Sequence, residues 1–320
     1  MIEYIIFLIG IFLLIKGSDY LVEGSSLLAK KLKINSLIVG LTIVAFGTST
    51  PELMVNVFSA LKGSTDIALG NIIGSNIANI LLILGVVALI SPIKFEHSVI
   101  RKEIPFSLFA AILLFLSANY FFSDLDGNKI NEISGLIFLV FFGVFLYYIF
   151  RMAKKNRAKF EVKDIGISPQ KNSVIFMMIL IGLVGLYFGG AWVVEGALFI
   201  SENLGLSQFF VSAAIIAIGT SLPELVVGVK AAKRKEPEIA VGNVVGSNIF
   251  NILWVLGITA IISPIVILDS VNFDMIFLIL VTTMLLLFLY FNKNNELRKW
   301  HGVLFISLYV FYIIYIAIRG

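Results

Sequence analysis

An all-α, polytopic membrane protein is the fold that the sequence predicts, with ten transmembrane helices arranged as two inverted five-helix repeats. Three observations carry this expectation. Apolar runs of about 18 residues or more recur along the whole chain. The basic residues of the connections alternate from one side to the other. The second half of the chain repeats the first at a constant offset of 172 residues. Composition agrees: 59% of the 320 residues are hydrophobic and 14% are charged, where a soluble domain carries about 25% charged residues. No cysteine is present, which excludes disulfides, iron–sulfur clusters and thiolate metal sites.

The spans are expected at 2–24, 36–60, 67–91, 104–122 and 133–151, then at 173–194, 208–230, 239–263, 273–291 and 302–318. The first opens "MIEYIIFLIGIFLLIKGSDYLVEG". No basic residue precedes that apolar run and no small-residue cleavage site follows it, so it reads as a retained helix rather than a signal peptide. Lys30, Lys31 and Lys33 follow the first span; Lys94, Arg101 and Lys102 follow the third. Arg151, Lys154, Lys155, Arg157, Lys159, Lys163 and Lys171 follow the fifth. Lys230, Lys233, Arg234 and Lys235 close the seventh, and Lys293, Arg298 and Lys299 the ninth. The connections on the other side, with both termini, hold only Lys62, Lys129 and Arg319. The bias of Lys and Arg toward the cytoplasm puts the rich set inside and both termini outside the cell membrane.

The repeat is read directly. "LVEG" at 21–24 answers "VVEG" at 193–196, and "GTSTPEL" at 47–53 answers "GTSLPEL" at 219–225. "IALGNIIGSNIANILLILGVVALISPI" at 67–93 answers "IAVGNVVGSNIFNILWVLGITAIISPI" at 239–265. Residues 1–151 form the first unit, 152–172 a cytoplasmic linker and 173–320 the second. Five spans are an odd number, so the units enter the bilayer in opposite directions. Such repeats recur in secondary transporters, whose substrate sites lie near the midplane where broken helices of the two repeats meet.

Glu52 and Glu224 fall near the middle of spans two and seven. A charge there costs about 2.5–3.5 kcal/mol even on lenient scales. No Lys or Arg lies in the central parts of spans two, three, seven or eight, so a pairing with either is ruled out and a permeating cation is a better candidate than a protonated carboxyl. Thr48 and Ser49 precede Glu52 by four and three residues, which puts all three on one helix face. Pro51 has no N–H for the Gly47 carbonyl. Thr220, Ser221, Pro223 and Glu224 repeat the arrangement. Asn71, Ser75 and Asn79 form a stripe of spacing four in span three, matched by Asn243, Ser247 and Asn251. Gly70, Gly74 and Ala78 lie on an adjacent stripe that permits close backbone approach. The resulting donor set is all oxygen, with two carboxylates and neither thiol nor imidazole. That chemistry suits a hard cation, and Ca2+ with its 6–8 oxygens better than Mg2+.

At these residues the chain resembles the sodium/calcium exchanger family of the calcium/cation antiporter superfamily, in its prokaryotic form without regulatory domains. The doubled "GTSxPE" and "GNxxGSN" segments carry the resemblance. It implies secondary active antiport, not enzyme catalysis, with Ca2+ and Na+ as transported ions and no cofactor. One Ca2+ would exchange for about three Na+ by alternating access, as in other inverted-repeat carriers. Glu52 and Glu224, with the carbonyls of Thr48 and Thr220, would hold Ca2+. Ser49, Ser75, Ser221, Ser247 and the carbonyls of Ala45 and Ala217 would complete sodium sites. Asn79 and Asn251 would face each other across the centre. The first and sixth spans would slide across the other eight. Gly17, Gly24, Gly189 and Gly196 suit either that sliding surface or ordinary close packing. The expected unit is a monomer in a lipid bilayer with no nucleic-acid partner. The competing readings are a proton- or potassium-coupled Ca2+ antiporter and a cation channel. Glu23 and Glu195 lie toward the ends of long spans, where interfacial pairing accounts for them.

Overall fold

The computed structural model describes residues 2–61, 65–119, 129–160, 170–203, 217–267 and 271–319. Its first helix, α1 (Ile2–Leu32), runs eight residues past the predicted span. It ends where Lys33 adopts a left-handed φ of 56°. The Ile34 N–H then returns to the Ala29 carbonyl and the Lys33 N–H to that of Lys30, which satisfies the last carbonyls of the helix.

The second predicted span is broken. Helix α2 (Ser36–Thr48) contains a π-turn at Gly40–Val44 and bends by 41° into α3 (Thr50–Leu61). Ser49 is the hinge, with φ −81° and ψ 6°, two residues before the proline that removes a helical N–H. Helix α4 comprises Thr65–Ala78, a π-turn at Asn79–Ile83, and Leu84–Ile90. After β1 (Ile93–Lys94), α5 combines a π-turn at Val99–Glu103 with Ile104–Asn119. Strand β2 (Lys129–Ile130) leads into α6 (Glu132–Phe160). This helix continues nine residues into the segment expected as linker.

The second half opens with α7 (Asn172–Asn203). The first part of the predicted span 208–230 lies outside the described residues. Its remainder is α8 (Ala217–Thr220), a break at Ser221 and α9 (Leu222–Lys233). Helix α10 comprises Pro237–Ile249, a π-turn at Phe250–Val255, and Leu256–Ile262. It is followed by β3 (Ile265–Val266), α11 (Val271–Phe291), β4 (Glu296–Leu297) and α12 (Lys299–Arg319). Seven described helices are long and apolar enough to cross a membrane, and the bent pair α2–α3 makes eight. Ile104–Asn119 has 16 residues, about 24 Å of helix against about 30 Å of hydrocarbon.

The expectation of a purely helical chain misses two short antiparallel ladders. Strand β1 pairs with β4, Ile93 opposite Leu297, and β2 pairs with β3, Lys129 opposite Val266. Each joins connections far apart in sequence, and two-residue strands carry no periodicity to read.

Helices α4 and α10 form the centre. Their apolar windows are 83% and 78% buried, against 28–39% for the other spanning helices. Small residues let α2 lie on α10: a Cβ at Gly242 would come within 2.6 Å of the Leu37 carbonyl, and one at Gly246 within 2.8 Å of Ala45 Cβ. Gly70, the counterpart of Gly242, has nothing within 4 Å among the described residues. The glycines of α1 and α7 face each other. A Cβ at Gly17 would lie 2.9 Å from the Gly182 carbonyl, and one at Gly189 2.7 Å from the Leu14 nitrogen. Close packing of these two long helices therefore accounts for Gly17, Gly24, Gly189 and Gly196, which lie on the α1–α7 seam.

Candidate ion site

The breaks at Ser49 and Ser221 have nearly the same backbone, φ −81° and ψ 6° against φ −87° and ψ 3°. Each puts its Glu beside the central helix of its own half and its Thr beside that of the other. Glu52 and Glu224 are fully buried. Among the described residues neither is paired with a Lys, Arg or His. An unpaired buried carboxylate is costly, so the partners it does have are informative.

Those partners form two clusters that match at the 172-residue offset. Ser75 Oγ donates to Glu52 Oε1 at 3.3 Å and lies 3.4 Å from Thr220 Oγ1. Thr220 in turn donates to Asn71 Oδ1 at 3.1 Å. In the other cluster Ser247 Oγ donates to Glu224 Oε1 at 3.4 Å and lies 3.4 Å from Thr48 Oγ1. Thr48 donates to Asn243 Oδ1 at 2.9 Å. The threonine of each motif thus serves the glutamate cluster of the other half, so neither cluster is complete without both halves of the chain.

The centre is built from four asparagines. Asn76 Nδ2 donates to the Asn248 carbonyl at 3.2 Å, and Asn248 Nδ2 to the Asn76 carbonyl at 3.3 Å. Asn79 Nδ2 donates to Asn248 Oδ1 at 2.9 Å, and Asn251 Nδ2 to Asn76 Oδ1 at 3.0 Å. Asn79 and Asn251, expected to face each other across the centre, each donate to the GSN asparagine of the opposite helix. Asn76 and Asn248 were legible as the last letters of both "GNxxGSN" segments. They fall off the spacing-of-four stripe, because a helix turns on by 100° per residue and carries them to the α4–α10 contact.

Among the described residues, six buried oxygens in this region have no hydrogen-bond partner: Glu52 Oε2, Glu224 Oε2, Asn79 Oδ1, Asn251 Oδ1, Ser49 Oγ and Ser221 Oγ. Buried polar atoms are ordinarily satisfied. These belong to six of the residues singled out from the sequence, and all can accept contact from a cation. Ala45 is buried and its carbonyl accepts the Ser49 N–H at 2.9 Å, so that oxygen is already partly engaged. Ala217 opens α8.

The model of the family described as sodium/calcium exchanger protein matches residues 2–151 and 174–318. The chain belongs to the sodium/calcium exchanger family. It is 32% identical to the sodium/calcium exchanger MaX1 of Methanosarcina acetivorans, over 98% of each chain. It is 34% identical to the inner membrane protein YrbG of Escherichia coli, over 80% of this chain and 79% of that one. A solved structure of the sodium-calcium exchanger NCX_Mj, soaked with Na+ and Ca2+, superposes with a TM-score of 0.81 at 31% identity and 98% coverage of each chain.

Beside the candidate site, this exchanger-family chain holds polar and charged groups to which the motifs did not point. Asn71 Nδ2 donates to the buried Asn56 Oδ1 at 2.9 Å, and the position corresponding to Asn56 is Gly228. Glu23 pairs with Arg234 at 3.1 Å, in line with the pairing expected near a span end. Asp19 pairs with Lys230 at 3.0 Å and with Arg234 at 3.5 Å.

Proposed function

We propose that this chain exchanges Na+ for Ca2+ by alternating access, through ten spans built as two inverted five-helix repeats of residues 1–151 and 173–320. The family is one of transporters rather than enzymes. The single observation that supports the reading most is the paired network: two buried carboxylates without cationic partners, each served by hydroxyls from both halves, beside six unsatisfied oxygens.

In this reading Glu52 and Glu224 supply the two negative charges that a dehydrated Ca2+ needs. The asparagine and serine oxygens, with the Thr48 and Thr220 carbonyls, complete the shell. Ser75 and Ser247, already beside the carboxylates, become sodium ligands with Ser49, Ser221 and the carbonyls of Ala45 and Ala217. Ca2+ leaves a site of two ionised glutamates neutral, whereas about three Na+ leave one positive charge, so each cycle moves charge across the membrane. The glycine-packed α1–α7 pair is the element that moves, and the α4–α10 centre stays fixed. Both termini lie outside, following the loop charges, and one chain in the bilayer suffices because both clusters come from it.

The deciding experiment is flux into vesicles with Na+, K+ and H+ gradients set separately. Ca2+ uptake is expected to need an opposing Na+ gradient and to respond to voltage. Uptake driven by a pH gradient without sodium would overturn the reading, as would sustained single-channel currents.

A further inference from the structure

We propose that Asp19, Glu23 and Ser26 of α1, with Lys230, Arg234 and Glu236, form a three-rung ladder that fixes the height of α1 against the ion site. In doing so it biases the exchanger toward one of its two conformations. This rests on the alternating-access reading above. The residues are positioning residues: they touch no ion, and act through the helix they hold.

Two rungs share one spacing and the third differs from it by one residue. Lys230 Nζ meets Asp19 Oδ2 at 3.0 Å and Arg234 Nη1 meets Glu23 Oε2 at 3.1 Å, each 211 residues apart. Ser26 Oγ donates to Glu236 Oε1 at 2.7 Å, 210 residues apart. On α1 the three side chains follow at intervals of four and three, one face of a helix. On the other side α9 stops at Lys233, and Lys235 takes a left-handed φ of 59°. The Glu236 N–H returns to the Ala231 carbonyl at 2.9 Å, and that cap aims Glu236 at Ser26. Glu236 Oε2 also accepts from Ser36 of α2 at 3.5 Å, so the lowest rung is anchored to a second element.

Depth makes the upper rung consequential. Lys230 follows Glu224 by six residues, about 9 Å along the helix, and Arg234 by ten, about 15 Å, where the hydrocarbon ends. With Glu224 placed at mid-depth, as the exchange reading has it, the Asp19–Lys230 pair falls inside the bilayer, on the side of the lysine-rich connections. A displacement of α1 by one turn, about 5.4 Å, breaks the match. It leaves only Glu23 opposite Lys230 in one direction; in the other only the Asp19–Arg234 contact, already present at 3.5 Å, survives. No twin on the far side cancels the upper rung, for the positions 172 residues away from Asp19 and Lys230 are Ala191 and Phe58. Two halves that repeat one another would otherwise give two conformations of similar energy. The upper rung is where they differ, whereas the positions 172 residues away from Glu23 and Arg234 are again an acid and a base, Glu195 and Lys62.

The test uses the full chain in liposomes, and the absence of cysteine leaves labelling clean. Spin labels at Leu32→Cys and Lys233→Cys, both exposed, report the height of α1 against α9. With the ladder intact one distance is expected to dominate. Asp19→Asn or Lys230→Gln should each raise the ratio of the second population to the first by about twofold to fivefold, the range for partly exposed pairs. The double variant should change less than the sum of the two, and Lys230→Arg, which keeps the charge, should leave the distances as they were. Half-saturating Ca2+ measured from the two faces should move in opposite directions, with the ratio of the two changing by that same factor. Unchanged distances, additive effects, or a loss of affinity on both faces alike would overturn the proposal. Survival of Ca2+ flux in Glu52→Gln would sink the exchange reading instead, while the distances would still decide the ladder.

Discussion

Glu52 and Glu224 are equivalent by sequence and nearly so by contact, 3.3 and 3.4 Å from the serine that each accepts from. Contact between unit charges is worth about 4 kcal/mol even at an effective dielectric of about 20. Glu52→Gln and Glu224→Gln are each expected to lower Ca2+ uptake by at least about 100-fold, read as initial flux under a fixed Na+ gradient. Wild-type flux in either variant removes that residue from the site. Acidification should inhibit in the same assay, because a proton on either carboxylate removes the charge on which the ion depends. Uptake that rises as pH falls from neutrality would contradict this. The central asparagines behave differently, since they bond one another. Asn248→Ala strands the amide of Asn79 and the backbone carbonyl of Asn76. It should cost about 2–4 kcal/mol of stability, seen as a lowered Tm in detergent, besides its effect on flux. The glutamates, threonines and serines were legible because charge and hydroxyls stand out in an apolar run. Asn76 and Asn248 were not assigned to the centre, because their role depends on which face of α4 meets α10.

At the scale of elements, the bend between α2 and α3 follows from Pro51, and the matching break at Ser221 from Pro223. Pro51→Ala returns an N–H to the Gly47 carbonyl and should straighten the 41° bend. Flux is expected to fall about tenfold or more, as misplaced catalytic or binding groups commonly produce, while the fold is kept. Equal flux would mean that the hinge is held by packing alone. The glycine seam gives a second, independent measurement. A Cβ at Gly182 would lie 2.7 Å from the Leu21 nitrogen, a backbone atom with no room to yield, whereas Gly143 has nothing within 4 Å among the described residues. Gly182→Ala should therefore cost about 1–3 kcal/mol. Gly143→Ala should be neutral or stabilise by up to about 1 kcal/mol, as alanine does in a helix interior. Thermal unfolding of the two variants side by side checks the contrast. Sequence left the glycines of α1 and α7 open between sliding and packing, because a small residue is the same letter in both uses.

For the whole molecule, the consequence is electrical. If both glutamates are ionised throughout, exchange carries net charge and current should accompany Na+-driven Ca2+ uptake. Silent uptake on a solid-supported membrane would remove that stoichiometry. Sequence by itself determined that the chain lives in a membrane, that it is a duplicated unit, and which oxygen-bearing residues accompany its two buried carboxylates. These follow from composition and spacing, which are local and one-dimensional. Only the tertiary structure decided that Thr48 and Thr220 each cross to the opposite cluster, that four asparagines rather than two tie the centre, and that Asp19 and Glu23 find bases 211 residues away. Contacts between helices depend on rotation about each axis and on relative height, and a lone chain of letters contains neither quantity.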